Sequence, residues 1–198
     1  MKYMALTTIA LVALAGCKKE PSVKLENASA AEVAAKVKEA GGVIKMQPGA
    51  YETTMSIDSM EVPGLKDPKA IEAMKQMQTK MSGMKSTACV TPEQVANPDP
   101  KMFAANAAPG CKFDRFSMQG GKISYQMSCQ QPGGNMTAKA NADGSITSTG
   151  FDMAVQNTVN SPQIPGGAMT TKARLSSKRT GECKPGMPSS GSGATPAG

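Results

Sequence analysis

The stretch Cys111-Lys112-Phe113-Asp114-Arg115-Phe116-Ser117-Met118-Gln119-Gly120-Gly121-Lys122-Ile123-Ser124-Tyr125-Gln126-Met127-Ser128-Cys129 decides the fold. Two runs with strand character flank Gly120-Gly121, a dipeptide that suits a two-residue hairpin because both central positions of such a turn favour positive φ. In the register this turn sets, Met118 faces Ile123 and Phe116 faces Tyr125, so their apolar side chains share one side of the sheet. The same register puts Cys129 opposite Lys112 and turns Cys111 to the other side.

Working outward, short strand-like segments recur with turn signals between them. Tyr51, Thr53, Met55 and Ile57 alternate with polar residues over 51–58, which predicts a strand with one buried side. Further strands are expected over 85–90, 111–118, 122–129, 135–141, 145–155 and 169–178, with Pro132-Gly133-Gly134 and Asp143-Gly144 as turns. Sequential strands joined by short turns predict a mainly β fold: an antiparallel meander forming an open curved sheet or half barrel. Two helices are expected beside it. Ser29-Ala30-Ala31-Glu32 has the capping-box pattern and opens a helix over 29–42, whose narrow stripe of Val33 and Val37 predicts light docking or a place outside the main domain. A Met-rich helix covers the stretch around 70–84. Between the second and third strands, 91–110 is a proline-bearing loop with room for one helical turn, capped by Thr91 with Pro92 at its first position.

The first residues read as an address. Lys2 is a positive n-region and Ala5 to Leu14 an apolar h-region, too short for a spanning helix of about 20 apolar residues. Leu14-Ala15-Gly16-Cys17 is similar to the lipobox of bacterial lipoproteins, which predicts a signal peptide over 1–16 and a mature chain lipidated on Cys17. Lys18 after that cysteine, where an aspartate would retain the chain at the inner membrane, implies the outer membrane by resemblance to the known sorting rule. The polar stretch 17–28 then reads as a lipidated tether, 43–183 as a disulfide-stapled β domain, and 184–198, rich in Pro, Gly and Ser, as a disordered tail.

Of five cysteines, Cys17 is assigned to the lipid and Cys89, Cys111, Cys129 and Cys183 remain. An even set without CxxC spacing, in an exported chain, predicts two disulfides. Three connectivities are possible. The hairpin register disfavours Cys111 with Cys129 and favours Cys89 with Cys111 and Cys129 with Cys183.

The chain has no His and no Trp. Without His, the usual zinc sites and the Ser-His and Cys-His nucleophile pairs lose their central member, and no phosphate loop or cofactor motif is present. No enzymatic activity and no cofactor are therefore expected. The one acid–base arrangement considered, Glu52 with Asp58, falls on the exposed side of one strand, where solvated charge is the ordinary reading. A formal charge of +7, dispersed and without interleaved aromatics, argues against nucleic acid. A weak attraction to anionic lipid or polysaccharide is compatible with it.

Sixteen methionines are many, and Met74, Met77, Met81 and Met84 recur at i, i+3, i+7 and i+10. At helical spacing they read first as an adaptable apolar face. Thioethers are also soft ligands for Cu(I), so a Cu(I) or Ag(I) binding or buffering site at these four residues is the alternative.

The ordered pieces Gln47-Pro48-Gly49-Ala50-Tyr51-Glu52-Thr53, Cys89-Val90-Thr91-Pro92-Glu93-Gln94, Cys111 to Asp114, Tyr125-Gln126-Met127-Ser128-Cys129, Met136-Thr137 and Lys178-Arg179-Thr180-Gly181-Glu182-Cys183 resemble the bacterial domain-of-unknown-function family thirty-six-seventeen. The resemblance runs from about Val43 to Cys183. It implies a small secreted or lipid-anchored proteobacterial protein, and no activity. One departure is Tyr51, where the family usually has Trp; an aromatic core residue is kept. Methionine-rich stretches ahead of the first of these cysteines are common in that family.

The expectation is a cell-envelope lipoprotein, anchored by its lipid to the outer membrane and facing the periplasm, that binds an apolar ligand or an envelope protein. Tyr51, Met55, Ile57, Phe116, Tyr125 and Met127 are the candidate ligand-face residues.

Overall fold

The computed structural model describes residues 22–40, 46–96, 110–130 and 134–189. The expected signal peptide and Cys17 lie outside the described residues. Among these residues, eight strands form one open, fully antiparallel sheet: β1 (Ser22–Ala28), β2 (Gly49–Glu61), β3 (Met84–Val90), β4 (Cys111–Gln119), β5 (Lys122–Gln130), β6 (Thr137–Thr147), β7 (Gly150–Asn160) and β8 (Ala168–Gly181). The spatial order is β1-β4-β5-β6-β7-β8-β2-β3. β4 to β8 form an antiparallel meander, and β8 then pairs with β2.

The β4–β5 hairpin has the expected register, Met118 opposite Ile123 and Phe116 opposite Tyr125. Gly120 and Gly121 both have positive φ, 55° and 76°, as a tight hairpin turn demands. Further along, the register shifts between Phe113 and Arg115, because Asp114 is an extra residue on β4 with no partner in β5. This bulge turns both Phe113 and Phe116 to the same side and swings Cys111 round to face Cys129.

The disulfide pairing therefore differs from the expected one: Cys111 is bonded to Cys129 and Cys89 to Cys183. An uninterrupted ladder would have kept Cys111 and Cys129 on opposite sides; a single unpaired residue reverses side-chain direction. The loop after Cys89 carries α3 (Pro92–Ala96), where Thr91 Oγ1 accepts from the Gln94 N–H and Gln94 Oε1 accepts from the Thr91 N–H.

Three more boundaries move. Ser22–Ala28, expected within a tether, is edge strand β1, held because Val23 and Leu25 lie opposite Met118 and Phe116 and extend the apolar side of the hairpin. Asp143-Gly144 is not a turn but the interior of β6, and the chain reverses at Ser148-Thr149. Gly144 is used for close approach: a Cβ there would lie 2.8 Å from Met153 Cγ and 2.2 Å from the Asp152 carbonyl oxygen. Finally, the start of the expected disordered tail is ordered as far as Ser189. The Cys89 N–H donates to the Pro188 carbonyl at 2.8 Å, and Ser189 bridges β3 in parallel.

α1 (Ala30–Glu39) starts with the Ser29–Glu32 capping box. Its two valines dock far more firmly than their narrow stripe predicts. Val33 is 0% exposed and Val37 3%, in one cluster with Val23, Ala28, Phe113, Phe116, Met118 and Ile123. Phe113 stands edge-on to Phe116 at 5.7 Å and to Tyr125 at 5.6 Å, a favoured aromatic geometry. The core of the described residues thus sits at the β1–β4–β5 end, under α1.

Candidate functional site: one apolar sheet face

The pairing places apolar residues in continuous rows across the sheet. One row runs Leu25, Phe116, Tyr125, Ala142, Val155, Ala173, Ile57; the next runs Val23, Met118, Ile123, Gly144, Met153, Leu175, Met55, Met84. Lys24, Ser117, Ser124, Asp143, Arg174 and other polar side chains occupy the alternate positions and face the other way. Two adjacent rows on one side of the sheet are thus apolar from edge to edge, while Thr53, Asn157, Thr171 and Ser177 lie in the rows beyond them.

Helices cover it unevenly. α1 packs over β1 and β4, and α2 (Pro68–Met81) packs against β2, whereas among the described residues no helix makes more than marginal contact with β6, β7 or β8. Met153, Val155 and Val159 on β7, and Met169 and Leu175 on β8, are consequently only half-buried. These residues were not among the candidates, although period-two alternation in 151–159 marks several of them.

The six candidates themselves divide. Tyr51, Ile57 and Phe116 are buried packing residues at 3%, 6% and 1% exposure. The Tyr51 hydroxyl donates to the Gln47 carbonyl at 2.7 Å, and the Arg179 guanidinium beside it donates from Nε to the Pro48 carbonyl at 2.8 Å. Burial pushes the Tyr51 phenol above its ordinary value, opposed by the positive charge of Arg179; burial also raises Tyr125. Met55, Tyr125 and Met127 are half-buried. Tyr125 and Met127 lie on β5 and Met55 on β2, with β6, β7 and β8 between them, so the candidates share a face without forming one pocket.

The four methionines do not form a single helical stripe. α2 stops at Met81, the chain turns through Ser82 and Gly83 (φ 82°), and Met84 begins β3 opposite Met55. Met74 and Met81 are half-buried, while Met77 is 46% exposed. A helix that ends three residues before Met84 cannot continue its stripe. Among the described residues, no group of three His, Cys, Asp or Glu is placed to hold a metal.

On the opposite face a depression of about 690 Å³ is lined by Ser117, Lys122, Ser124, Asp143, Ser145 and Asp152, with others. Its charged groups are exposed and its lining is mostly polar, which suits an apolar ligand poorly. Glu52 and Asp58 are engaged separately, Glu52 with Lys85 at 2.9 Å and Asp58 with Arg174 at 3.3 Å, both in solvent-exposed ion pairs. They form no acid–base couple.

No curated protein and no solved structure matches the chain. The family model described as "Protein of unknown function (DUF3617)" matches residues 46–183, from just ahead of β2 to the last disulfide cysteine, which is well over half of the sequence. This chain belongs to the DUF3617 family.

Proposed function

We propose that this protein is an exported, lipid-anchored envelope protein that holds an apolar ligand, of the acyl-chain kind, on the β7–β8 part of its sheet. The observation that carries the reading is the half-buried pair Val155 and Leu175, with Met153 bordering the core cluster, which continues the apolar rows into a region where, among the described residues, no helix packs extensively. A face of this kind gains by covering itself, at about 25 cal/mol for each Å² of apolar surface removed from water. Methionine, unbranched and soft, suits a surface that must fit chains of varied shape. The lipobox-like Leu14-Ala15-Gly16-Cys17 supports this compartment, as do two disulfides, which persist in oxidising surroundings. β1 starts at Ser22, so on this reading at most 17–21 would serve as a tether, a length that would keep the domain near its anchor. The test is to purify the full chain from its own membrane and analyse an organic extract by mass spectrometry. A stoichiometric lipid besides the thioether-linked anchor is expected; anchor lipid alone would refute the ligand.

Soft-metal binding is the second reading, and it moves from the expected stripe to a different pair. Met55 and Met84 stand directly opposite on β2 and β3, both half-buried, with Met81 three residues before Met84. Competition against a Cu(I) chelator, with Met55→Leu and Met84→Leu as controls, decides it: no metal withdrawn from the chelator ends this reading.

A further inference from the structure

An open sheet has two edges, and this chain treats them differently. The β3 edge meets the segment after the last disulfide, through the Cys89–Pro188 hydrogen bond and the Ser189 bridge. β2, which runs on past the end of β3, has α2 against it. The outer edge of β1 has no strand beside it among the described residues. A strand edge with free N–H and C=O groups templates further pairing unless it is blocked.

The sequence of β1 fits one occupant in particular. In Ser22-Val23-Lys24-Leu25-Glu26-Asn27-Ala28, the charges flank Leu25 symmetrically and have opposite sign. We infer that the β1 edge pairs antiparallel with the β1 edge of a second copy of this chain, about a two-fold axis at Leu25. In that register Lys24 lies opposite the partner's Glu26, and Glu26 opposite the partner's Lys24, so both cross-strand pairs are complementary. Leu25 meets the partner's Leu25, and Val23 meets the partner's Asn27. The register preserves side-chain direction, so the apolar faces of the two sheets join and the charges stay together on the polar side. Both charges are available: Lys24 and Glu26 are exposed, and neither makes an ion pair with another described residue. Shifting the register by two residues in either direction loses both complementary pairs and sets two like charges opposite one another. Asn27 limits the ladder, since its φ of 51° takes the strand out of extended geometry. The association is accordingly short and charge-dependent.

The experiment is zero-length carbodiimide cross-linking of the full chain in detergent, using equal parts of ¹⁵N-labelled and unlabelled protein. A cross-linked dimer is expected, containing mixed-isotope peptides joined through Lys24 and Glu26. Lys24→Glu and Glu26→Lys should each also reduce the dimer to monomer by sedimentation equilibrium, which does not depend on the cross-linking groups, because each sets like charges opposite one another. Mixing the two single variants, or combining both changes in one chain, should restore it. Both substitutions are at exposed positions, and unchanged circular dichroism verifies folding. A monomer at every soluble concentration overturns the inference. So does a dimer that ignores the charge reversals, which would place the contact on another surface.

Discussion

Cys111 stands opposite Cys129, Cα to Cα 3.9 Å, because Asp114 occupies a place in β4 that has no counterpart in β5. The bulge also explains how Phe113 and Phe116, three positions apart, reach one core. The Ser128 hydroxyl donates to the Asp114 carboxylate at this point, tying the bulge to the neighbouring strand.

Non-reducing digestion and mass spectrometry should recover Cys111 linked to Cys129 and Cys89 linked to Cys183. The two bonds are expected to differ in weight. They span 18 and 94 residues, and loop-closure entropy gives about 3 kcal/mol for a loop of about 15 residues and about 4.7 for one of about 100. Replacing both Cys89 and Cys183 with Ala should thus lower the denaturant midpoint more than replacing Cys111 and Cys129. The reverse order would mean that native-state geometry outweighs chain entropy here.

Truncating the aromatic centre should be costly. Phe113→Ala or Phe116→Ala is expected to lose about 3–5 kcal/mol, since both rings are buried and packed edge to face. Met77→Ala should stay within about 0.5 kcal/mol, because its side chain is exposed on α2. Equilibrium urea unfolding measures both.

Tyr51 and Tyr125 are the tyrosines of the described domain, and burial raises both above the usual phenol value near 10. Ultraviolet titration of the folded protein should show phenolate appearing later than in the unfolded chain. The sign for stability follows from the raised folded-state value. The contribution is complete below pH 10 and is lost as pH climbs through that value, because the unfolded chain releases the proton first. Tyr51→Phe should make the alkaline loss shallower and remove the hydrogen bond to Gln47, worth about 0.5–1.5 kcal/mol.

Much of the sheet was legible because alternation and turn chemistry agree. Gly120-Gly121 between alternating runs set the β4–β5 register down to individual pairs. The bulge was not legible in that way, since an extra residue leaves composition and period almost untouched. Its trace was Phe113, an aromatic out of phase with Phe116. β1 escaped because Val23 and Leu25 are few against Lys24, Glu26 and Asn27, and only pairing with β4 gives them a core to face. Asp143-Gly144 misled because a glycine serves two needs, positive φ in a turn and absence of Cβ beside a neighbour; here the neighbour, Met153, decides. At the candidate site, Tyr51, Ile57 and Phe116 share the side of the apolar rows but are buried as packing residues. Burial depends on which strands end up adjacent and where α1 lands, and neither is written in any single strand.

The most direct test of the account is titration of the folded protein with an environment-sensitive fluorescent fatty acid, followed in the absence of any Trp signal of its own. Saturable binding is expected, and Leu175→Asp should abolish it while Lys122→Ala, on the opposite face, leaves it unchanged. Absence of saturable binding by the folded wild-type chain, or binding lost equally with Lys122→Ala, would contradict the assignment of the β7–β8 face.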